Sequence, residues 1–136
     1  GFRCVRGDLA RTDMGWEIHP EGLGFFLRRL ATDYAPGLPQ YVTENGMAND
    51  DRVNDEGTVG DPQRIDYFAG HLAQVERLCA EGVPVKGYFA WSLLDNYEWA
   101  FGYSKRFGIV HVDYETMKRT PKDSYLAWHE ALRDRD

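Results

Sequence analysis

The stretch from Gln40 to Ala90 constrains the fold most, because it reads strand, loop, helix, strand in that order. Tyr41, Val42 and Thr43 are β-favouring and follow Pro39. Asn45-Gly46 ends the run, since Asn tolerates and Gly supplies positive φ. A polar loop from Gly46 to Gly60 leads to Asp61-Pro62, an N-cap with Pro at the first helical position. Ile65, Phe68, Leu72, Val75 and Cys79 alternate in spacing between three and four, which predicts one apolar helix stripe with Cys79 as a core thiol. Gly82 suits the helix C-cap, Pro84 bars continuation, and Val85–Ala90 reads as the second strand. Such a connection is expected to be a right-handed crossover between parallel strands.

The first strand, Gln40–Thr43, delivers Glu44 at its carboxyl end, directly before a turn. Parallel α/β folds place chemistry at that end. The alternative is a hairpin or edge strand with a solvated Glu. Before the strand, Leu23, Phe26, Leu27 and Leu30 fall on one face of a helix that begins at Pro20 and stops by Pro36-Gly37. After Ala90, residues 91–119 lack helical period but carry Trp91, Tyr97, Trp99, Phe101, Tyr103 and Phe107, and Phe107–Asp113 contains a short strand. A long ordered loop of this kind is usually functional. Thr120-Pro121-Lys122-Asp123 predicts the start of a last helix, with Tyr125, Trp128 and Leu132 on its buried side. The order helix, strand, helix, strand, helix makes the chain α/β. Two strands cannot close a barrel, which takes eight and about 250 residues.

Composition narrows the function. The formal charge of −6 with no basic run argues against nucleic acid as a partner. No signal peptide and no apolar run long enough to span a bilayer is present, so no membrane partner and a cytoplasmic location are expected. Cys4 and Cys79 match no metal spacing, the four histidines are scattered, and the acidic loop Asp50, Asp51, Asp55, Glu56 fails the calcium-loop pattern; neither metal nor cofactor is expected, and that loop reads as solvated. Four Trp and eight Tyr in 136 residues suit a core and also suit stacking on the flat apolar faces of sugars.

Three ordered motifs sharpen this: Tyr41-Val42-Thr43-Glu44-Asn45-Gly46, Trp91-Ser92-Leu93-Leu94-Asp95-Asn96-Tyr97-Glu98-Trp99, and Tyr103-Ser104-Lys105-Arg106-Phe107-Gly108. Together they resemble glycoside hydrolase family 1, the retaining β-glucosidases, and Met14 to Leu23 is similar to that family's bacterial members. The resemblance covers essentially the whole chain. It implies that residues 1–136 are the C-terminal portion of a single (β/α)8 TIM barrel domain, strands seven and eight with their helices, incomplete as a barrel alone. The implied activity is hydrolysis of terminal non-reducing β-D-glucosyl residues by a two-carboxylate double displacement, on cello-oligosaccharides or aryl glucosides. By resemblance Glu44 is the nucleophile, Glu98 accepts hydrogen bonds from the sugar's 4- and 6-hydroxyls, and Trp99 lies near the 3-hydroxyl. Trp91 is the platform beneath the ring, Phe107 borders the 6-hydroxymethyl pocket, and Trp16 lines the aglycone entrance. Taken singly, Trp91 and Trp99 would more often be core aromatics, and Glu98 a surface carboxylate.

The family's acid/base lies in a Thr-x-Asn-Glu-Pro motif, and no Asn-Glu-Pro occurs here. The chain is therefore expected to supply the nucleophile and part of the sugar subsite to an N-terminal remainder of the barrel, and to be inactive without it. The alternatives are a non-catalytic carbohydrate-binding fragment, or a relative of the 6-phospho-β-glycosidases. Glu98 opposes the latter, because a carboxylate there repels phosphate.

Overall fold

Two parallel strands, β1 (Gln40–Asn45) and β2 (Val85–Ala90), pair side by side and are joined through α2 (Pro62–Ala80). This is the strand–helix–strand unit read from the sequence, with β1 running two residues further than expected. The computed structural model describes residues 5 and 7–133, so Cys4 lies outside the described residues. Before β1 comes α1 (Pro20–Arg29), continued by one π-helical segment, Leu30–Tyr34. After β2 the chain makes a single 3-10 turn at Trp99–Phe101. It then forms the antiparallel pair β3 (Val110–Val112) and β4 (Arg119–Pro121), and ends in α3 (Asp123–Arg133).

The helices pack on one side of the β1–β2 pair. Leu27 of α1, Val42 of β1, Leu78 of α2 and Val85 of β2 form one buried cluster. Met47, Tyr67, Phe68, Ile109 and Val110 form a second, and Tyr88 packs against both. On the opposite side of the pair Tyr41 and Phe89 are exposed.

Register along the pair shifts twice, first between Gln40 and Tyr41 and again near the carboxyl ends of the strands. Val42 pairs with Tyr88 and Asn45 with Ala90, so β1 carries one residue more than β2 over this interval, a bulge. Bulges flip the alternation of side chains and recur beside functional sites. Val42 faces the helices, and strict alternation would send Glu44 to the same side. The extra residue instead puts Asn45 on the helix side, where it meets Tyr88, and leaves Glu44 exposed.

Several expectations are corrected. The buried face of α2 runs through Arg64, Tyr67, Phe68, His71 and Leu78, about one position round from the expected stripe, and Cys79 is exposed rather than a core thiol. Apolar period alone missed this because Arg64 and His71, both polar, occupy buried positions. On α1 and its continuation only Leu27 of the expected stripe is buried; Phe26 and Leu30 stand exposed, since among the described residues no element covers that face. Thr120 and Pro121 belong to β4, so α3 starts later than expected, and Leu132 is exposed.

The loop expected to be solvated is partly core. Met47, Ala48, Asp51 and Val59 are buried, while residues 52–58 are exposed and end in a turn in which the Asn54 side-chain carbonyl accepts the Glu56 and Thr58 N–H groups. Asp51 enters a buried charge network. Its carboxylate accepts from Arg64 at 2.6 Å and from Lys122 at 2.5 Å, and Lys122 also reaches Asp95 at 2.9 Å. Asp61 joins through Arg64. The Asp61 side chain does not cap α2; it accepts the Ser124 N–H at 2.8 Å and hydroxyl at 2.6 Å, and so holds the start of α3. Its backbone carbonyl still takes the first α2 bonds, from Arg64 and Ile65. Side chains of Arg64 and Lys122 are completely buried, which is tolerable for charges only when they are paired.

Candidate functional site

A cleft of about 330 Å³ opens at the carboxyl ends of β1 and β2. Its lining contains all six candidate residues, Trp16, Glu44, Trp91, Glu98, Trp99 and Phe107. Sequence reasoning missed three others that also line it, Asn45, Gly46 and Tyr67. The first two had been read only as turn chemistry. Tyr67 carries a weaker signal, lying beside Phe68 but off the apolar stripe.

Glu44 reaches the cleft from the bulged end of β1, and Trp91 stands one residue past β2. The two ends are locked together. Trp91 N–H donates to the Asn45 carbonyl at 2.9 Å. A Cβ on Gly46 would lie 1.8 Å from the Trp91 carbonyl oxygen, so only glycine fits this approach. Gly46→Ala is expected to destabilise by about 1–3 kcal/mol or more, the usual range for overpacking, with thermal unfolding as the measurement.

The remaining aromatics come from the loop after β2. The Trp91–Ser92 peptide bond is cis. Ser92 N–H donates to the Phe107 carbonyl at 3.1 Å, and the Ser92 carbonyl accepts from Ile109 at 2.9 Å, so the loop folds back on itself. Phe107 is buried, and its ring centroid lies 6.0 Å from that of Trp16. Trp16 sits in a short hairpin closed by the Arg11–Glu17 bridge and by Thr12 N–H donating to the Trp16 carbonyl. Met14 and Gly15 form its turn, and Glu17 lies on its returning arm.

Glu98 is fixed by its own N–H, which donates to Gly102 at 2.7 Å across the 3-10 turn. Trp99 opens that turn at φ 44°, a conformation that costs a bulky residue about 1–3 kcal/mol. Its side chain is 83% exposed. A large indole held out of the core at a backbone cost is unlike the core aromatic that composition alone would suggest. Asp95 organises the loop from beneath. It accepts the Gly108 N–H at 3.0 Å, the Val112 N–H at 3.3 Å, Arg106 at 2.7 Å and Lys122.

The polar character of the cleft is set by few groups. Among the described residues, Glu44 and Glu98 are the carboxylates in its lining. Two cations flank the loop, and both are engaged: Lys105 with the Asp13 carboxylate and carbonyl, Arg106 with Asp95. Burial raises the Tyr67 hydroxyl's pKa, opposed by its hydrogen bond with Asn45. Burial pushes Tyr88 up further. A cleft with two carboxylates, three indoles and a buried phenyl edge suits a neutral ligand with hydroxyls at its rim and a flat apolar face. Among the described residues no helix is long and apolar enough to cross a membrane.

Comparison with known proteins shows the family to which such a chain is similar. The family model described as Glycosyl hydrolase family 1 matches residues 4–136. Beta-glucosidase A of Thermotoga maritima is 57% identical over 121 residues, covering 88% of this chain and 27% of that protein. A 6-phospho-beta-galactosidase of Streptococcus equi subsp. zooepidemicus is 44% identical over 133 residues, covering 97% of this chain and 28% of that protein. The solved structure of a family 1 b-glucosidase from Thermotoga maritima in complex with isofagomine lactam superposes with a TM-score of 0.92 at 53% identity. That alignment covers 95% of this chain and 29% of the other. The chain thus spans less than a third of the length of these relatives.

Proposed function

The chain belongs to glycosyl hydrolase family 1, and on that premise we propose that it forms part of a retaining β-glucosidase and carries the nucleophile. The parallel unit with aligned strand ends is assigned as strands seven and eight of a (β/α)8 barrel, within one domain whose N-terminal remainder completes the sheet. The observation that carries the reading is the gathering of Glu44, Glu98, Trp91, Trp99 and Phe107 into one cleft at the ends of those strands.

In this reading Glu44 attacks the anomeric carbon of a β-glucoside, forming a glycosyl ester as the bond to the aglycone oxygen breaks. A carboxylic acid about 5–5.5 Å away protonates the leaving oxygen, then acts as base on the water that releases the sugar. That second group is assigned to the remainder of the barrel, so the 136-residue chain by itself is expected to give no turnover. Trp91 supports the flat face of the ring. Glu98 accepts from the 4- and 6-hydroxyls, the Trp99 indole N–H donates near the 3-hydroxyl, Phe107 closes the 6-hydroxymethyl side, and Trp16 borders the aglycone.

The test is covalent trapping. The completed enzyme incubated with a 2-fluoro-glucoside bearing a good leaving group is expected to gain one sugar on the peptide containing Glu44. A label on any other carboxylate overturns the assignment. If the chain were instead a binding module, the isolated chain would bind glucosides while the completed enzyme left them intact.

A phosphorylated substrate is the second reading, raised by the 6-phospho-beta-galactosidase relative. Glu98 in the cleft and the prior engagement of Lys105 and Arg106 favour the neutral sugar. The expected result is kcat/KM for a β-glucoside at least about a hundredfold above that for its 6-phosphate, with Glu98→Ser shrinking the ratio, because the repelling charge is worth a few kcal/mol. Equal rates on both would remove Glu98 from specificity.

A further inference from the structure

Behind Glu44, several independent contacts converge on Asn45. Its side-chain carbonyl accepts the Tyr88 hydroxyl, from a residue 43 positions away on β2. Its backbone carbonyl accepts the Trp91 N–H. Its own pairing with Ala90 resumes the register immediately after the bulge. One short side chain and its carbonyl thus tie the end of β1 to β2 and to the start of the loop that carries the aromatics.

The bulge makes this attachment consequential. A bulged strand end bends and twists more freely than a regular ladder, so the direction of the residue before Asn45 is set by whatever anchors Asn45. From this geometry we infer that Asn45, held by Tyr88, is a positioning residue that aims Glu44 into the cleft and fixes its separation from Trp91. Asn45 need not touch the sugar for this. Its effect on chemistry passes through the Glu44 carboxylate, which must lie within near-attack distance of the anomeric carbon. Displacement of such a group by an ångström costs up to about a hundredfold in rate without loss of ground-state binding. The inference rests on the reading of Glu44 as nucleophile.

Tyr88→Phe removes the hydroxyl and keeps the ring, which stacks with Trp128 at 6.1 Å between centroids. In the completed enzyme, the first-order trapping rate by a 2-fluoro-glucoside at saturation and the dissociation constant of the trap are measured for the parent, Tyr88→Phe, Asn45→Ala and the double variant, well below each Tm. Tyr88→Phe is expected to slow trapping about tenfold while the dissociation constant stays within about twofold, the pattern of a lost transition-state alignment. Asn45→Ala is expected to slow it at least as much, and adding Tyr88→Phe to it to change nothing further, since both act through one contact. Trapping of Tyr88→Phe at the parent rate, an effect confined to the dissociation constant, or slowings that multiply in the double variant would each overturn the inference. Where Asn45→Ala does not fold, Tyr88→Phe alone decides. A parent enzyme that carries no label on Glu44 sinks the nucleophile reading instead, so the two failures are distinct.

Discussion

Glu44→Gln in the completed enzyme is expected to lower kcat by about four to six orders of magnitude, the scale on which enzymes lose rate when a covalent nucleophile is removed. The amide matches the carboxylate in size and fits the same exposed position at the end of β1, so the strand and its bulge are undisturbed. It cannot form the ester. Binding of the glucoside is expected to change little, because the nucleophile's main contribution is made in the transition state. Isothermal titration with a slow substrate, set beside steady-state rates, separates the two effects. Glu44→Ala provides a sharper form of the same test. With an activated aryl glucoside and added azide, the anion is expected to bond to the anomeric carbon from the vacated side as the aryloxide leaves. The product is then a glycosyl azide of inverted configuration. An unchanged rate in Glu44→Gln, or azide product of retained configuration in Glu44→Ala, removes Glu44 from the role.

The second large effect lies in the buried charges. Lys122→Met is expected to cost about 3–5 kcal/mol, the range for removing one partner of a buried ion pair. The ammonium lies between Asp51 and Asp95, both almost without solvent, and its loss leaves two carboxylates facing each other across an apolar side chain. Thermal or denaturant unfolding of the completed enzyme measures the cost. Acid sensitivity is a second readout. Burial pushes the Asp51 carboxyl up, but the Arg64 hydrogen bond and charge, with those of Lys122, outweigh it and hold Asp51 below the ordinary carboxylate range. A carboxyl whose pKa is depressed on folding contributes stability above its unfolded value, and that stability is lost as pH falls through the folded value. Removing Lys122 takes away part of the depression, so the variant is expected to unfold at a higher pH than the parent. A variant as stable as the parent at neutral pH, with an unchanged acid transition, would show that the network contributes nothing net.

Local chemistry made the βαβ unit legible in the sequence. Asp61-Pro62 and Gly82-Pro84 fix where α2 starts and stops, and both strands are bounded by turn residues. Six lining residues of the cleft were named for a different reason, since each sits in a stretch that resembles glycoside hydrolase family 1. The remainder depended on contacts distant in sequence. Arg64 reads as a surface cation until Asp51 and Arg106 are brought to it, and Lys122 reads as a helix residue until Asp95 arrives from 27 positions away. Asp61 obeys the capping rule through its backbone, but its carboxylate serves a different helix because Ser124 and Arg64 offer it better donors. Leu30 and Phe26 fail as core residues because periodicity marks an apolar face without saying whether anything covers it. Tyr67 was hidden by a rotation of about one residue in the buried face of its own helix.

The extra residue near the end of β1 also sets rules for which changes of length the chain can absorb. Which way Glu44 points is decided by parity, counted from Val42. Gaining one residue in β2 between Tyr88 and Ala90 would match the extra residue of β1, restore a regular ladder and turn the carboxylate toward Leu27 and Leu78, burying a charge among aliphatic side chains and taking the proposed nucleophile out of the cleft. A change of one residue at the exposed Asn54–Gly57 tip would alter a turn and leave that parity untouched. Homologous chains are therefore expected to vary in length at the tip and to keep β1 one residue longer than β2 over this interval, even where the residues themselves have changed.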